Sequence, residues 1–398
     1  MHSYVARQPI FDRRLDTFGY ELLFRSAGAD RAHIDNADAA TASTLMTSMA
    51  DIGLDALVGG RLAFVNVSRR FLLDGHAALL PPDRVVLELL EDIPADEHVL
   101  AAARDLAATG RILALDDFTF RADNEALLEH VQIVKLDVGA LGPAALEEHV
   151  ERLSGRGLQL LAEKVETHEE HARCLKLGFD LFQGYFFCQP TTHRGRTVPS
   201  NRLTRLQLLA RLQDPDVDRD ELAAIIAVDV GLSYRVLRYV NSAASGLRRR
   251  IESVAEALVF LGHRRLRSIA TVIVLAESGD RPHELLVTAL VRARTCEQLA
   301  AAAGVEPSAA FTVGLFSVVE ALMDMPMEAV LAQLPFSPDF NAALLEGAGP
   351  LGGLLSRVRG YEQGDLDVPE DGDVEALGGA YVDALEWARS GAGALVLA

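Results

Sequence analysis

Cysteine is scarce in this chain of 398 residues, and its three copies, Cys174, Cys188 and Cys296, form no CxxC pair. That spacing argues against a disulfide framework and reads as reduced thiols filling small core positions. Basic charge is also short. Thirty-eight Lys and Arg against 57 Asp and Glu leave a formal net charge of −19. The deficit disfavours general nucleic-acid binding, which depends on neutralising phosphates. It still allows an anionic substrate where metal ions invert the local charge. No apolar run approaches the ~18 residues of a membrane span, and "MHSYVARQPIFD" lacks the basic-then-apolar pattern of a leader. A cytoplasmic protein without membrane association is expected. The 49% hydrophobic content is ample for sizeable cores, and the length suits two domains.

What is present falls into two rhythms. Up to about residue 190, the short apolar runs "YVARQPI", "YELLF", "LAFVNVS", "VVLELLE", "ILALDDF", "IVKLDV", "LQLLAEKVE" and "LFQGYFF" alternate with amphipathic segments. Two of those segments, "ADEHVLAAARDLAATG" and "THEEHARCLKLG", end in glycine, a helix-stop signal. Strands alternating with helices imply a largely parallel sheet, and eight in this length favour a (β/α) barrel over residues 1–195. Past "TVPSNRL" the periodicity becomes helical throughout. An all-α domain is expected over residues 200–398, with the boundary near 191–200.

The question posed by the first half is why its buried strands end in polar groups. "ILALDD" runs apolar into the adjacent Asp116 and Asp117, which repel unless a cation or a proton stands between them. Read alone, the pair also suits a simple turn. The other strands repeat the feature: Glu21 and Arg25, Asn66, Glu88 and Glu91, Lys135 and Asp137, Glu163 and Glu166, and Gln183. Each alone has a structural explanation, such as a bridge between Lys135 and Asp137. Together, seven polar strand ends are costly to bury unless they pair or bind metal. An all-oxygen set of carboxylates and an amide suits Mg²⁺, Mn²⁺ or Ca²⁺. One aspartate bridging two ions, flanked by carboxylates, is the plan of a two-metal phosphodiester hydrolase.

The order YELLFR, FVNVS, LELLED, LALDDF, VKLD, AEKVET, FQGY resembles the EAL-domain phosphodiesterases, which linearise cyclic di-GMP to pGpG. That resemblance implies metal ligands Glu21, Asn66, Glu88, Asp116, Asp117 and Glu163 for two Mg²⁺ or Mn²⁺ ions. It assigns Lys135 to hold the attacking water, Glu163 or Glu166 to activate or position it, and Gln183 to orient it. Arg25 is implied at a substrate phosphate, with Gln8 lining the cleft. A homodimer is an assembly the family also implies. One departure stands out: the usual "DDFGTGYSS" is replaced by "DDFTFRADN". The retained ligands favour an enzyme, and the altered loop favours a receptor or scaffold that binds cyclic di-GMP without cleaving it.

The second half resembles the HDOD domains, through "VDVGLSYRVLRYVNSA", "IESVAEALVFLGHRRLRSIA" and "AFTVGLFSVVEAL". These look like HD-type phosphohydrolases without the His-Asp metal pair, and Ser317 and Val318 stand at the corresponding places here. Protein partners are implied for this half, and no metal chemistry. EAL-like followed by HDOD-like resembles bacterial two-domain signalling proteins grouped as YuxH-like. Two further signals carry less. His168 and His171 of "THEEH" lack the spacing of a zinc-protease helix and are expected on a helix surface. Arg248, Arg249, Arg250, Arg264, Arg265 and Arg267 form the one basic patch, without interleaved aromatics, and are expected to be solvated or paired within the chain.

Overall fold

Eight strands close a barrel in sequential order: β1 Ser3–Asp12, β2 Thr17–Ser26, β3 Leu62–Val67, β4 Val85–Leu89, β5 Ile112–Leu115, β6 Ile133–Asp137, β7 Gln159–Glu163 and β8 Leu181–Gln183. They belong to a computed structural model that describes residues 3–26, 53–121, 124–189, 200–241, 251–276, 282–364 and 373–389. Strands β2 to β8 run parallel, while β1 is antiparallel to both of its neighbours, β2 and β8. The largely parallel expectation therefore holds with one inverted strand. The cause is length: the short connection from Asp12 to Thr17 can make a hairpin, whereas a parallel return needs a crossover of a dozen residues.

Helices Glu97–Ala108, Val138–Leu153 and His168–Leu177 follow β4, β6 and β7. Each starts on a side-chain cap, from Asp96, Asp137 and Thr167 respectively. Glu170 completes a capping box with Thr167, and Gly178 ends that helix in the left-handed region. His171 departs from the surface position expected of it. It stacks on Phe186 at 4.6 Å and meets Phe182 edge-on at 4.5 Å. Burial, with the nearby charge of His168, lowers its imidazole to about 4.

Inside the barrel, Ile10, Phe64, Val86, Ala114, Ile133, Leu161 and Leu181 form one buried apolar layer. On β2 the matching position is Gly19, while Phe18 beside it is partly buried against the layer. A Cβ on Gly19 would lie 2.9 Å from both the Phe64 ring and the Leu62 carbonyl oxygen, so Phe64 occupies the space. Because strand side chains alternate, the next inward positions lie two residues further along. They are Glu21, Asn66, Glu88, Asp116, Lys135, Glu163 and Gln183, and on the inverted β1 the step runs backwards to Gln8. The polar strand ends are thus a second layer resting on the apolar one.

Gly184, after β8, is required by contact and by backbone. Its φ is +143°, and a Cβ would lie 2.1 Å from the Val165 carbonyl oxygen. Gly184→Ala is expected to destabilise the barrel by about 3 kcal/mol or more, combining backbone strain with a clash. Urea unfolding measures this, and an unchanged midpoint would contradict the packing.

The chain divides into two units, Met1–Phe187 with Glu362–Leu366, and Cys188–Tyr361 with Asp367–Ala398. The boundary expected near 191–200 lies, apart from Ser200, outside the described residues. The described elements of the second unit are helical, from Ser200–Gln213 to Asp373–Trp387. Two of its helices cross closely at Gly314, where a Cβ would come within 2.6 Å of the Ala293 backbone. Ser317 is buried there, donating to the Gly314 carbonyl at 2.7 Å and accepting from Arg292 at 3.2 Å. Cys174 and Cys296 are buried and Cys188 is half-buried.

Candidate active site

The polar layer converges on one ammonium. Lys135 Nζ lies 2.6 Å from Asp116 Oδ1, 2.7 Å from Glu88 Oε1, 2.8 Å from Glu163 Oε1 and 3.4 Å from Glu21 Oε2. Lys135 and Glu88 are both 0% exposed. Burial disfavours the charged lysine, but the four carboxylates outweigh it and hold its pKa well above the usual range. Two amides bind the same ring. Gln183 Nε2 donates to Glu21 Oε2 at 2.7 Å and to Gln8 Oε1 at 3.0 Å, and Asn66 Nδ2 donates to Glu21 Oε1 at 3.0 Å.

The carboxylates are not equivalent. Burial pushes Glu21 up, yet Lys135, Gln183 and Asn66 together bring it below the ordinary value. Burial raises Glu88, and the charges of Glu21 and Asp116 add to that against Lys135. Asp116 is raised too, chiefly by burial. Burial likewise drives Glu163 to about 8 despite Lys135, with Asp116 and Glu21 contributing.

A group raised in this way binds its proton more tightly folded than unfolded. The stability tied to Glu163 is therefore complete below its ordinary 4.5 and is lost as pH rises through about 8. Glu88 acts in the same direction, whereas Glu21, being lowered, loses its contribution only in acid. The unfolding midpoint of chelator-treated protein is expected to fall from about pH 6 to about pH 9. Glu163→Gln should flatten that slope. A midpoint that rises over the range would contradict the assignment.

Asp116 and Asp117 part company at the end of β5. The Asp116 amide donates to the Leu89 carbonyl and the Phe118 amide to the Lys135 carbonyl, at 3.0 Å each, which continues the sheet past the strand. Asp117 between them has a φ of +41°, a region that aspartate tolerates better than most side chains. Asp116 thus meets Lys135, while Asp117 meets Lys164 at 3.4 Å. Lys164 is itself left-handed, at +54°, and also pairs with Asp137 at 2.5 Å. Both carboxylates raise its pKa against the effect of burial. The strand pattern does not single out Lys164, although "AEKVET" places it directly after Glu163.

Asn124 is a second residue that the pattern leaves unmarked. Its side chain accepts from the Arg121 amide at 3.1 Å and donates to the Thr119 carbonyl at 2.9 Å. Phe120 lies under the Arg152 guanidinium, 3.5 Å from ring centroid to carbon. Residues 122–123 of this loop are outside the described residues.

Not every polar strand end joins the ring. Lys135 pairs with the four carboxylates rather than with Asp137, which instead caps the helix after β6. Glu166 and Glu91 are exposed, away from the ring around Lys135. Arg25 lies on β2, and its side chain falls outside what the structure describes.

The donor chemistry fits a hard cation. Asn66 Oδ1, Glu88 Oε2, Asp117 Oδ1, Glu163 Oε2 and Gln183 Oε1 are buried oxygens without a hydrogen-bond partner, and lone pairs of this kind are what Mg²⁺, Mn²⁺ and Ca²⁺ take. Among the described residues, no three carboxylate, imidazole or thiol groups are already gathered for an ion. The carboxylates turn to Lys135 instead.

The EAL domain family matches residues 2–190 and the HDOD domain family residues 198–327. The cyclic di-GMP phosphodiesterase CdgJ of Vibrio cholerae serotype O1 is 34% identical over 97% of this chain and 92% of its own length. The chain belongs to the family that joins an EAL domain to an HDOD domain. The uncharacterized protein YuxH of Bacillus subtilis strain 168 is 30% identical, over 98% of this chain and 99% of its own. Among solved structures, a standalone EAL protein from Vibrio cholerae O395 in its c-di-GMP bound form is 24% identical, with a TM-score of 0.37. It covers 47% of this chain and 91% of its own. The barrel is the EAL domain, and the helical unit holds the HDOD domain. No described helix is long and apolar enough to cross a membrane.

Proposed function

We infer that the EAL domain is a phosphodiesterase that hydrolyses one phosphodiester bond of cyclic di-GMP, releasing linear pGpG. The observation that carries this is the polar layer, in which carboxylates and amides from successive strands surround one buried ammonium. The name of the similar Vibrio protein, a cyclic di-GMP phosphodiesterase aligned over nearly the whole chain, supports the same reading.

The ligand set is proposed as Glu21, Asn66, Glu88, Asp116, Asp117 and Glu163, holding two Mg²⁺ or Mn²⁺ ions. Such ions polarise phosphoryl oxygens and stabilise the charge that develops in the transition state. The remaining steps belong to side chains. Lys135 donates a hydrogen bond that holds the attacking water, and Gln183 orients it from β8. Glu163, which lies 2.8 Å from Lys135, takes the proton. Glu166, being exposed, is left without that role. Water adds to phosphorus, the P–O3′ bond breaks, and the 3′-oxygen leaves with a proton. Arg25 and Gln8 are proposed on the substrate side, and the HDOD domain as the surface for protein partners.

The test is hydrolysis by the purified full chain, with product separated by chromatography, in Mg²⁺ or Mn²⁺ and with a chelator control. Chelator-sensitive formation of pGpG is expected. Tight binding of cyclic di-GMP without turnover would make the barrel a receptor, and neither binding nor turnover would overturn both readings.

A further inference from the structure

The basic stretch "GHRRLRSIA" has no part in the barrel's chemistry, and it borders a cavity of about 420 Å³ within the helical unit. That size falls in the ~300–1,000 Å³ range of small-molecule sites. Helix His263–Ala276 supplies one wall, with His263, Arg264 and Arg267. The opposite side is aromatic, with Phe311, Phe336 and Phe340. The rings brace each other: Phe336 lies 4.2 Å from Phe340 and 5.1 Å from Phe316.

The cationic wall is incompletely neutralised. Arg264 pairs with Glu306 at 2.7 Å. Arg267 has no carboxylate at ion-pairing distance among the described residues. Its Nη2 makes a long 3.4 Å contact to the Val217 carbonyl and a 3.2 Å contact to His263 Nε2, and its Nε is buried without a partner. Burial lowers the guanidinium pKa, opposed only by the more distant charge of Asp214. His263 is also held down, first by burial and then by the charges of Arg267, Arg219 and Arg264. The cavity is thus locally positive in a chain whose net charge is −19. Hydroxyl and amide groups also line the cavity: Thr271 accepts from Gln213 Nε2 at 2.8 Å, and Thr312 lines the same space.

We propose that this cavity binds a small phosphorylated ligand bearing a planar ring, of the nucleoside monophosphate class, with the phosphate at Arg267 and the ring against Phe311 and Phe336. An underpaired guanidinium favours the doubly charged phosphate through charge-assisted hydrogen bonds. The aromatic wall favours a flat partner by stacking. The inference is independent of the barrel's function.

The chain contains one tryptophan, Trp387, whose ring packs edge-on against Phe311 at 6.2 Å. Its fluorescence therefore reports on this cavity in the full-length protein. Titration with guanosine 5′-monophosphate is expected to give a saturable change with half-saturation below about 1 mM, and inorganic phosphate to bind at least about tenfold more weakly. Arg267→Gln should weaken the nucleotide at least about tenfold while leaving cyclic di-GMP turnover unchanged. Phe336→Ala, as the second variant, should weaken the nucleotide and spare inorganic phosphate. No saturable change in the wild-type protein overturns the proposal. Equal binding of phosphate and nucleotide overturns it, and so does unaltered affinity in a folded Arg267→Gln protein.

Discussion

Asp116→Asn is expected to lower cyclic di-GMP turnover roughly a thousand-fold, and Glu21→Gln by a similar factor, because each removes a proposed metal ligand and with it several kcal/mol of transition-state stabilisation. The fold should survive both changes. Lys135 keeps Glu88 and Glu163 at 2.7 and 2.8 Å when Asp116 loses its charge. Glu21→Gln preserves the shape that Gln183 and Asn66 grip. Replacing Asp116 also relieves its repulsion of Glu88, one of the charges that raises that carboxyl. The pair of measurements that matters is steady-state turnover together with the unfolding midpoint. Turnover within threefold of wild type in either variant, with an unchanged midpoint, would remove that residue from the chemistry.

Lys135→Met should have the larger effect on stability. The substitution roughly keeps side-chain volume but removes the only cation that ion-pairs with Glu21, Glu88, Asp116 and Glu163 among the described residues. Breaking a buried pair in this way typically costs about 3–5 kcal/mol, since buried carboxylates such as Glu88 and Glu163 are left with no cation to offset their charge. The sign of the pH response follows. Without the ammonium the carboxyls titrate higher still, so the loss is greatest at alkaline pH and shrinks as they take up protons in acid. Urea unfolding near pH 5.5 and pH 8.5 in chelator measures it. Wild-type stability at both values would mean that the carboxylates are held by something other than Lys135. Added Mn²⁺ should restore part of the stability, because a ligand that binds only the folded state stabilises it. Turnover should not return, since no other described group donates from that position.

Much of the barrel is legible in the chain because its period is simple. Each strand shows as an apolar run, and Glu21, Asn66, Glu88, Asp116, Lys135, Glu163 and Gln183 each sit two residues beyond an interior position. The inverted β1 is harder to read, since strand direction is set by the connection at residues 13–16 and not by the pattern within "YVARQPI". Lys164 is inconspicuous because one polar residue after a strand looks like a turn. Its significance appears only when β5, β6 and β7 bring Asp117 and Asp137 to it. His171 misleads for a related reason: spacing on its own helix says nothing about Phe182 and Phe186, which arrive from β8 and its following turn. The cavity beside Arg267 is legible only as a basic stretch, because the aromatic side comes from residues 311–340, far along the chain.

The apolar layer beneath the polar one has a consequence for traffic. Ile10, Phe64, Val86, Ala114, Ile133, Leu161 and Leu181 are at most 1% exposed, so the barrel is plugged, as packed barrels are. The polar layer is therefore closed from below, and substrate and product reach and leave it at the end of the barrel where β2 to β8 finish.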